Sequence, residues 1–385
     1  MQVVYAGEPF PDRFDMSLFL VGPTLRDRDV LSWRPEAVGL LEAAGFDGVV
    51  FVPEDRGGAR REEYEDQVGW EWEGLALADY ICAWVPRSLP AMPAFTTNVE
   101  IGLWAHSGKV LLGAPPGAPK TSYLLYTAAR LGIPVHTALD SLLRMAVGLC
   151  GAGAGRAGGE RYIPVSIWVS PVFQSWYGSQ RAAGHRLARA RVVWQHPARA
   201  GQAPFLWALH PQIEVAGEGR AKTNEIVVGR PDISVVAALV PAAHLDDVRV
   251  LCVQEFRSPV RNPAGLVLEL PSGSACRDDD PVSTALAELA KETGLVLPAG
   301  RLVPHGSRQL LPTLATYHAH LFSVVLEAAE TARLERDQGV VRGVGADGER
   351  TQVMLVRLGD IVGGEQMDWA MLGMLQSVAG RAVRP

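Results

Sequence analysis

Cysteine is scarce, and the metal-like cysteine spacing of zinc folds is absent. The four cysteines, at positions 82, 150, 252 and 276, sit in or near apolar runs. They read as reduced structural thiols of a cytoplasmic protein, not as a disulfide framework. No large block of Lys and Arg occurs, and the net charge is −6. Nucleic acid is thereby excluded as the main partner, because the phosphate backbone is met by clustered positive charge. No apolar stretch reaches membrane-spanning length. The first residues have no basic region followed by a signal-like apolar run. A cytoplasmic location without membrane contact is the expectation. A GxGxxG fingerprint is also missing: GAGAG at 151–155 follows a helical pattern, not a strand, and reads as linker.

What remains is a chain of 385 residues with 48% hydrophobic content, enough for two domains with real cores. Residues 1–150 alternate strand-like runs (MSLFLVGP, DGVVFVPE, YICAWVP, KVLLGAP, IPVHT) with helical stretches. This alternation predicts an α/β domain with a parallel, Rossmann-like (flavodoxin-like) sheet covered on both faces. Ligands in such folds sit at the carboxyl ends of the strands. Residues 151–162 are Gly-rich and read as a flexible linker. Residues 163–385 read as a second, α+β domain with a mixed sheet. The aromatics Phe173, Trp176 and Tyr177 at its start are expected to pack.

The front domain resembles the nucleoside 2-deoxyribosyltransferase and nucleotide N-glycosidase superfamily over about residues 16–145. The resemblance lies in FLVGP, in LALAD at 75–79 and in TTNVEIG at 96–102. It implies cleavage of an N-glycosidic bond, with Glu100 as the carboxylate beneath the anomeric carbon and Asp79 as the acid near the base. That chemistry suits carboxylates, because positive charge develops on the sugar and the departing base needs a proton. Thr97 and Glu100 also have capping-box spacing, a structural alternative for Glu100. Gly22 and Phe19 belong to the first strand and its turn. Phe19 stands about where transferases carry a tyrosine, and a missing hydroxyl would leave room at the sugar's 2′ position. Ala94 replaces an aspartate six residues before the nucleophile, so Asn98 is a candidate substitute on the base side. Trp70 is a candidate for stacking on a base, and Arg34, Arg87 and Lys109 are candidate phosphate contacts. The resemblance further implies a homo-oligomer in which a neighbour contributes to the pocket, and no cofactor for this domain.

In the second domain an apolar run, a Pro/Gly turn, an acidic loop and a helix follow one another through residues 269–294, ELPSGSACRDDDPVSTALAELAKETG. Asp280 can cap that helix, Pro281 suits its first position, and Gly294 can end it. Glu288 and Glu292, four apart, share a face. The stretch resembles the Nudix box of diphosphate hydrolases through Gly273, Asp279, Glu288, Leu289, Glu292, Gly294 and Leu295. EFRSPV followed by ELPSG is similar to the ADP-ribose pyrophosphatase branch. The resemblance implies Mg²⁺ held by Glu269, Glu288 and Glu292. Two positions depart: Ala287 stands in place of an arginine, and Lys291 in place of a glutamate.

The leading expectation is a nucleotide-processing enzyme that releases the base of a nucleoside 5′-monophosphate. Its second domain would cleave a diphosphate-containing precursor or only bind nucleotide. One alternative is an ADP-ribose or nucleoside-diphosphate pyrophosphatase with a substrate-binding front domain. Another is a nucleotide-binding regulatory protein with an inactive Nudix-like domain.

Overall fold

Short apolar runs buried along their whole length form the centre of the first unit. The computed structural model describes residues 1–24, 31–56, 64–196, 203–274, 280–342 and 350–384. The chain divides into two compact units, Met1–Arg230 and Pro231–Pro385. In the first, strands β1 (Gln2–Tyr5), β2 (Arg13–Phe14), β3 (Ser17–Val21), β4 (Val49–Val52), β5 (Tyr80–Trp84), β6 (Val110–Gly113) and β7 (Val135–His136) interleave with helices. The helices are α1 (Arg34–Ala43), α2 (Tyr64–Leu77), α3 (Phe95–Trp104), α4 (Ser122–Leu131) and α5 (Leu139–Cys150). Among the described residues, six strands make one parallel sheet in the order β1-β4-β3-β5-β6-β7.

Every residue of β3, β4, β5 and β6 is buried, as expected where helices cover both faces. Alternate side chains feed two cores. Phe19, Phe51 and Ile81 meet Leu75, Ile101 and Leu124, from α2, α3 and α4, on one side. Leu18, Val50 and Cys82 meet Leu41 and Leu142, from α1 and α5, on the other. The alternation anticipates this layer well; the edge strand β1 is the addition.

The expected boundary at 150–162 is corrected. The first unit continues through β8 (Arg156–Ala157), α6 (Val165–Trp168), α7 (Pro171–Ala182), β9 (Arg186–Gln195), β10 (Trp207–Val215), β11 (Arg220–Lys222) and β12 (Val227–Gly229). Strand β10 pairs antiparallel with β9, β11 and β12. Ile163, Ile167, Phe173, Tyr177, Trp207 and Leu209 join the same core as Phe19 and Phe51. The Gly-rich stretch is packed: a Cβ on Gly159 would lie 2.0 Å from the Leu187 carbonyl oxygen. Glycine there serves close approach rather than freedom. Phe173, Trp176 and Tyr177 pack against one another and against Trp168 and Trp207, as expected.

The second unit is a mixed sheet between helices. Its strands are β13 (Ile233–Val240), β14 (Arg249–Phe256), β15 (Leu266–Glu269), β16 (Ser272–Ser274), β17 (Val303–Gln309), β18 (His318–Val325), β19 (Val341–Arg342) and β20 (Thr351–Arg357). Its helices are α8 (Pro281–Thr293), α9 (Ala328–Arg336), α10 (Leu358–Gly363) and α11 (Trp369–Ala379). The central pair β13–β18 is parallel and the other pairings are antiparallel. Helix α8 packs Ala285 and Leu289 against Val236, Ala238 and Phe322. Helix α11 packs Met371, Leu372 and Leu375 against the opposite face, with Val235 and Cys252. The ends of α8 are those its sequence spells out. Asp280 accepts from the Val282 and Ser283 amides, Pro281 opens the helix, and Gly294 closes it at φ 72°.

Cys82, Cys150 and Cys252 are free, buried thiols, while Cys276 lies outside the described residues. Among the described residues no helix is long and apolar enough to cross a membrane.

Candidate active site

Glycine follows β3 because nothing larger fits. A Cβ at Gly22 would come within 2.4 Å of the Trp84 carbonyl oxygen and 2.5 Å of the Trp33 ring. The turn Gly22-Pro23-Thr24 is clamped by Arg34, which is 1% exposed. Its Nη2 donates to the Gly22 oxygen at 2.8 Å and its Nε to the Leu20 oxygen at 3.2 Å. Its Nη1 meets Glu54 at 2.5 Å. Arg34 therefore shapes the turn, with most of its donors already used on protein oxygens.

This turn, Pro53 after β4, Gln67 and Glu71 on α2, and residues 93–97 with Glu100 enclose a cleft. It lies at the carboxyl ends of β3, β4 and β5, where the strand order reverses, the usual ligand position of such sheets. The enclosed part is small, about 110 Å³.

Helix α3 carries the central residue. Its N-cap, Ala94, sits in the left-handed region at φ 59°, ψ 40°, and supplies no side-chain cap. An alanine there is strained, and such strain collects at binding sites. The helix starts at Phe95, two residues before Thr97. Thr97 is thus already inside the first turn, and the Thr97–Glu100 capping box does not form. Glu100 makes no hydrogen bond or ion pair with a described residue and keeps part of its surface open to the cleft. Burial by the walls, then the charge of Glu71, pushes its carboxyl up to about 7, with Arg34 pulling the other way.

Glu71 is the acid that the sequence reading overlooks. Burial raises its pKa, while the Gln67 amide, donating at 2.9 Å, and Arg34 oppose the shift. The available cue was local: Gln67 and Glu71 lie four apart and so share one face of α2. Its apposition to Glu100, 29 residues on (100 − 71) and on another helix, has no trace in the spacing.

Asp79, expected near the base, is elsewhere. It is fully buried and ion-paired to Arg156 at 2.5 and 2.8 Å. It also accepts from the amides of Ser17 (2.7 Å) and Val165 (2.6 Å). With its oxygens committed, it fastens residues 156–165 to the sheet. Phe19 is also buried, between Phe51 and Trp70, and lines no part of the cleft. Its ring fills core, so a missing hydroxyl there bears on no sugar. Trp70 stacks on Phe10 at 5.1 Å and donates to the Glu8 carbonyl oxygen, so it packs as core.

Lys109 is 1% exposed and donates to the Leu75 and Ala76 carbonyl oxygens at the end of α2, at 2.8 and 2.9 Å. Burial pulls its pKa down to about 7, Asp79 opposing and Arg156 adding to the fall. It caps a helix and is not in the cleft. Arg87 donates to the Lys120 carbonyl oxygen and to Asn98 Oδ1, the latter at 2.7 Å. Arg87 and Asn98 thus hold each other beside the cleft rather than lining it. Of the expected front-domain residues, the fold brings Glu100, Gly22 and Arg34 together.

A family model matches within this unit. Residues 15–118 fit the family described as "Nucleoside 2-deoxyribosyltransferase like". The matched segment contains β3 to β6, Glu71 and Glu100, and it supports an enzyme that acts on nucleosides. The deoxyribosyltransferase-like match stops well short of residue 231, where the second unit begins. A search of curated proteins finds no match to the chain.

The carboxylates expected to hold Mg²⁺ have partners of their own. Glu269 and Glu255 both meet Arg257, at 2.8 and 3.0 Å. Glu288 meets Lys291 at 3.4 Å. Glu292 accepts from the Ser272 amide at 3.2 Å, and its pKa rises to about 8 through burial, with Glu288 and Glu269 adding to the rise. Among the described residues no group of three or more His, Cys, Asp or Glu is placed to hold a metal ion. Arg257 and Lys291 thus occupy two of the three carboxylates, and Mg²⁺ would compete with both cations for them. Asp279 lies outside the described residues.

Proposed function

We propose that the first unit releases the base of a nucleoside 5′-monophosphate by hydrolysis of its N-glycosidic bond. The carrying observation is Glu100: a carboxylate at the strand ends that bonds to no described residue and shares a cleft with a second acid, Glu71. In this reading Glu100 lies beneath the anomeric carbon. The C1′–N bond breaks, and the base leaves with its electron pair and the proton of Glu71. Water then adds hydroxide to C1′ and returns a proton to Glu71. The first turn of α3 opens on the cleft with no side-chain cap, and the positive end of the helix suits the phosphate. Incubation with matched nucleosides and 5′-monophosphates, read by mass spectrometry for free base, tests the assignment. Base should appear, and faster from the monophosphates. No base from any of them rejects the reading.

The rate should rise as the pH climbs through about 7, the value to which burial pushes Glu100, and fall once Glu71 no longer holds the proton that the base takes with it. Below that value the Glu100 carboxyl is protonated and neutral, and cannot meet positive charge on the sugar. Above it the carboxylate is present. A single-turnover rate that is flat from pH 6 to 8, roughly one unit on either side, would remove Glu100 from this role.

For the second unit, the resemblance to diphosphate hydrolases proposes nucleotide binding, and the ion pairs of Arg257 and Lys291 favour binding without turnover. Mg²⁺ alone should leave the thermal unfolding of the full chain unchanged, whereas Lys291→Glu should make it respond to Mg²⁺. A wild-type protein stabilised by micromolar Mg²⁺ contradicts this.

Phe95, Val99 and Leu103 form an exposed apolar stripe on α3, each more than half exposed. The stripe begins at the mouth of the cleft, and we take its occupant to be a second copy of the chain. Sedimentation should find a dimer that Val99→Asp dissociates; a monomer at micromolar concentration excludes it.

A further inference from the structure

One side chain in the cleft has a chemical polarity that the reaction itself does not require. Gln67 sits one turn before Glu71 on α2, and both line the cleft. Its Nε2 donates to Glu71 Oε1 at 2.9 Å and lies 3.5 Å from the Pro53 carbonyl oxygen. Both amide hydrogens therefore face protein oxygens. Turning the amide over would set its own oxygen against the Pro53 carbonyl oxygen. In the orientation observed, Oε1 is left as an acceptor that receives no hydrogen bond from a described residue.

Beside that acceptor stands the Glu71 carboxyl. One of its oxygens is occupied by Gln67, and in the proposed base release the carboxyl carries the proton that the base takes up. Together the two side chains present an acceptor and a donor side by side. The matching edge of a heterocycle has the reverse order, an exocyclic amino group next to an unprotonated ring nitrogen. Adenine and cytosine carry that edge. Hypoxanthine and uracil place a carbonyl oxygen where the amino group would be, which would face the Gln67 oxygen without a hydrogen between them. A polar group buried against an unpaired like partner is costly, so selection by such a pair can be strong.

We infer that Gln67 is the specificity-determining residue of the cleft and that it selects nucleotides with an amino-substituted base over their oxo counterparts. This rests on the proposed base-releasing function but can fail separately from it.

The test compares AMP with IMP and CMP with UMP on the full-length protein. The expected result is a kcat/KM at least about tenfold higher for the amino member of each pair. Gln67→Leu, which keeps the bulk and removes the acceptor, should bring each ratio close to one. Base release with the oxo members equal or preferred overturns the inference and leaves the glycosidase reading in place. So does a Gln67→Leu protein that folds and keeps the wild-type ratio. Calorimetric binding of AMP and IMP to the wild-type protein supplies a readout independent of both turnover and the variant's folding. Tighter AMP binding without base release rejects the glycosidase reading and retains the selectivity. Equal binding of the two, or no binding of either, removes the selectivity.

Discussion

Glu100→Gln should slow base release by at least about 100-fold, the scale set by losing one well-placed charged group at a transition state. Its thermal unfolding should stay close to that of the unaltered protein. The two outcomes separate because Glu100 has no structural employment: α3 begins at Phe95 without it, and no described residue bonds to it. The stability side has a definite sign. A carboxyl whose pKa is raised to about 7 in the folded chain weakens the fold once it is ionised. Glutamine removes that ionisation, so at pH 8 the variant should be as stable as wild type or slightly more so. The charge is what catalysis loses. In a partly dry cleft a carboxylate next to a developing oxocarbenium ion acts through a low effective dielectric, and a neutral amide of the same shape offers little of this. The decisive measurement is the single-turnover rate of free-base formation for both proteins. A folded variant with near-normal rate would take the chemistry away from α3.

Asp79→Ala should be the most damaging single change for stability. It leaves the Arg156 guanidinium, which is 0% exposed, without its counter-charge. Removing one partner of a buried pair typically costs about 3–5 kcal/mol. The loss of acceptors for the Ser17 and Val165 amides acts in the same direction. Urea unfolding of the full chain measures it. A loss below about 1 kcal/mol would mean that the pair contributes no more than an exposed one. The same pair bears on how the protein can be cut. A fragment ending at residue 150 would keep Asp79 and discard Arg156, and should fold poorly whatever its family match.

The two acids show what a sequence can and cannot reveal. Asp79 and Glu100 both follow strand or helix patterns in motifs that suggest a pocket. Asp79's partner lies 77 residues away, in a Gly-rich stretch with every outward sign of a linker. Nothing local distinguishes a carboxylate that meets a sugar from one that meets an arginine. Glu71 is missed for the complementary reason, since its significance comes from two helices meeting over the sheet. Where the determinants are local, reading is reliable. The caps of α8 at Asp280, Pro281 and Gly294 need only adjacent residues, and the buried strands β3 to β6 need only their own apolar composition. The second unit's carboxylates fall between these cases. Lys291 beside Glu288 is visible at helical spacing, but Arg257 reaches Glu269 across a strand pairing that spacing does not disclose.

The turn before α3 also sets what its residues can be exchanged for. Ala94 holds φ 59°, ψ 40°, a conformation that aspartate and asparagine adopt far more readily than alanine. A transferase-like aspartate at this position would relax the main chain while adding a third acid to the rim of the cleft. The scaffold therefore tolerates an acidic side chain at this point. Ala94→Asp would change the charge of the cleft without asking the fold to move.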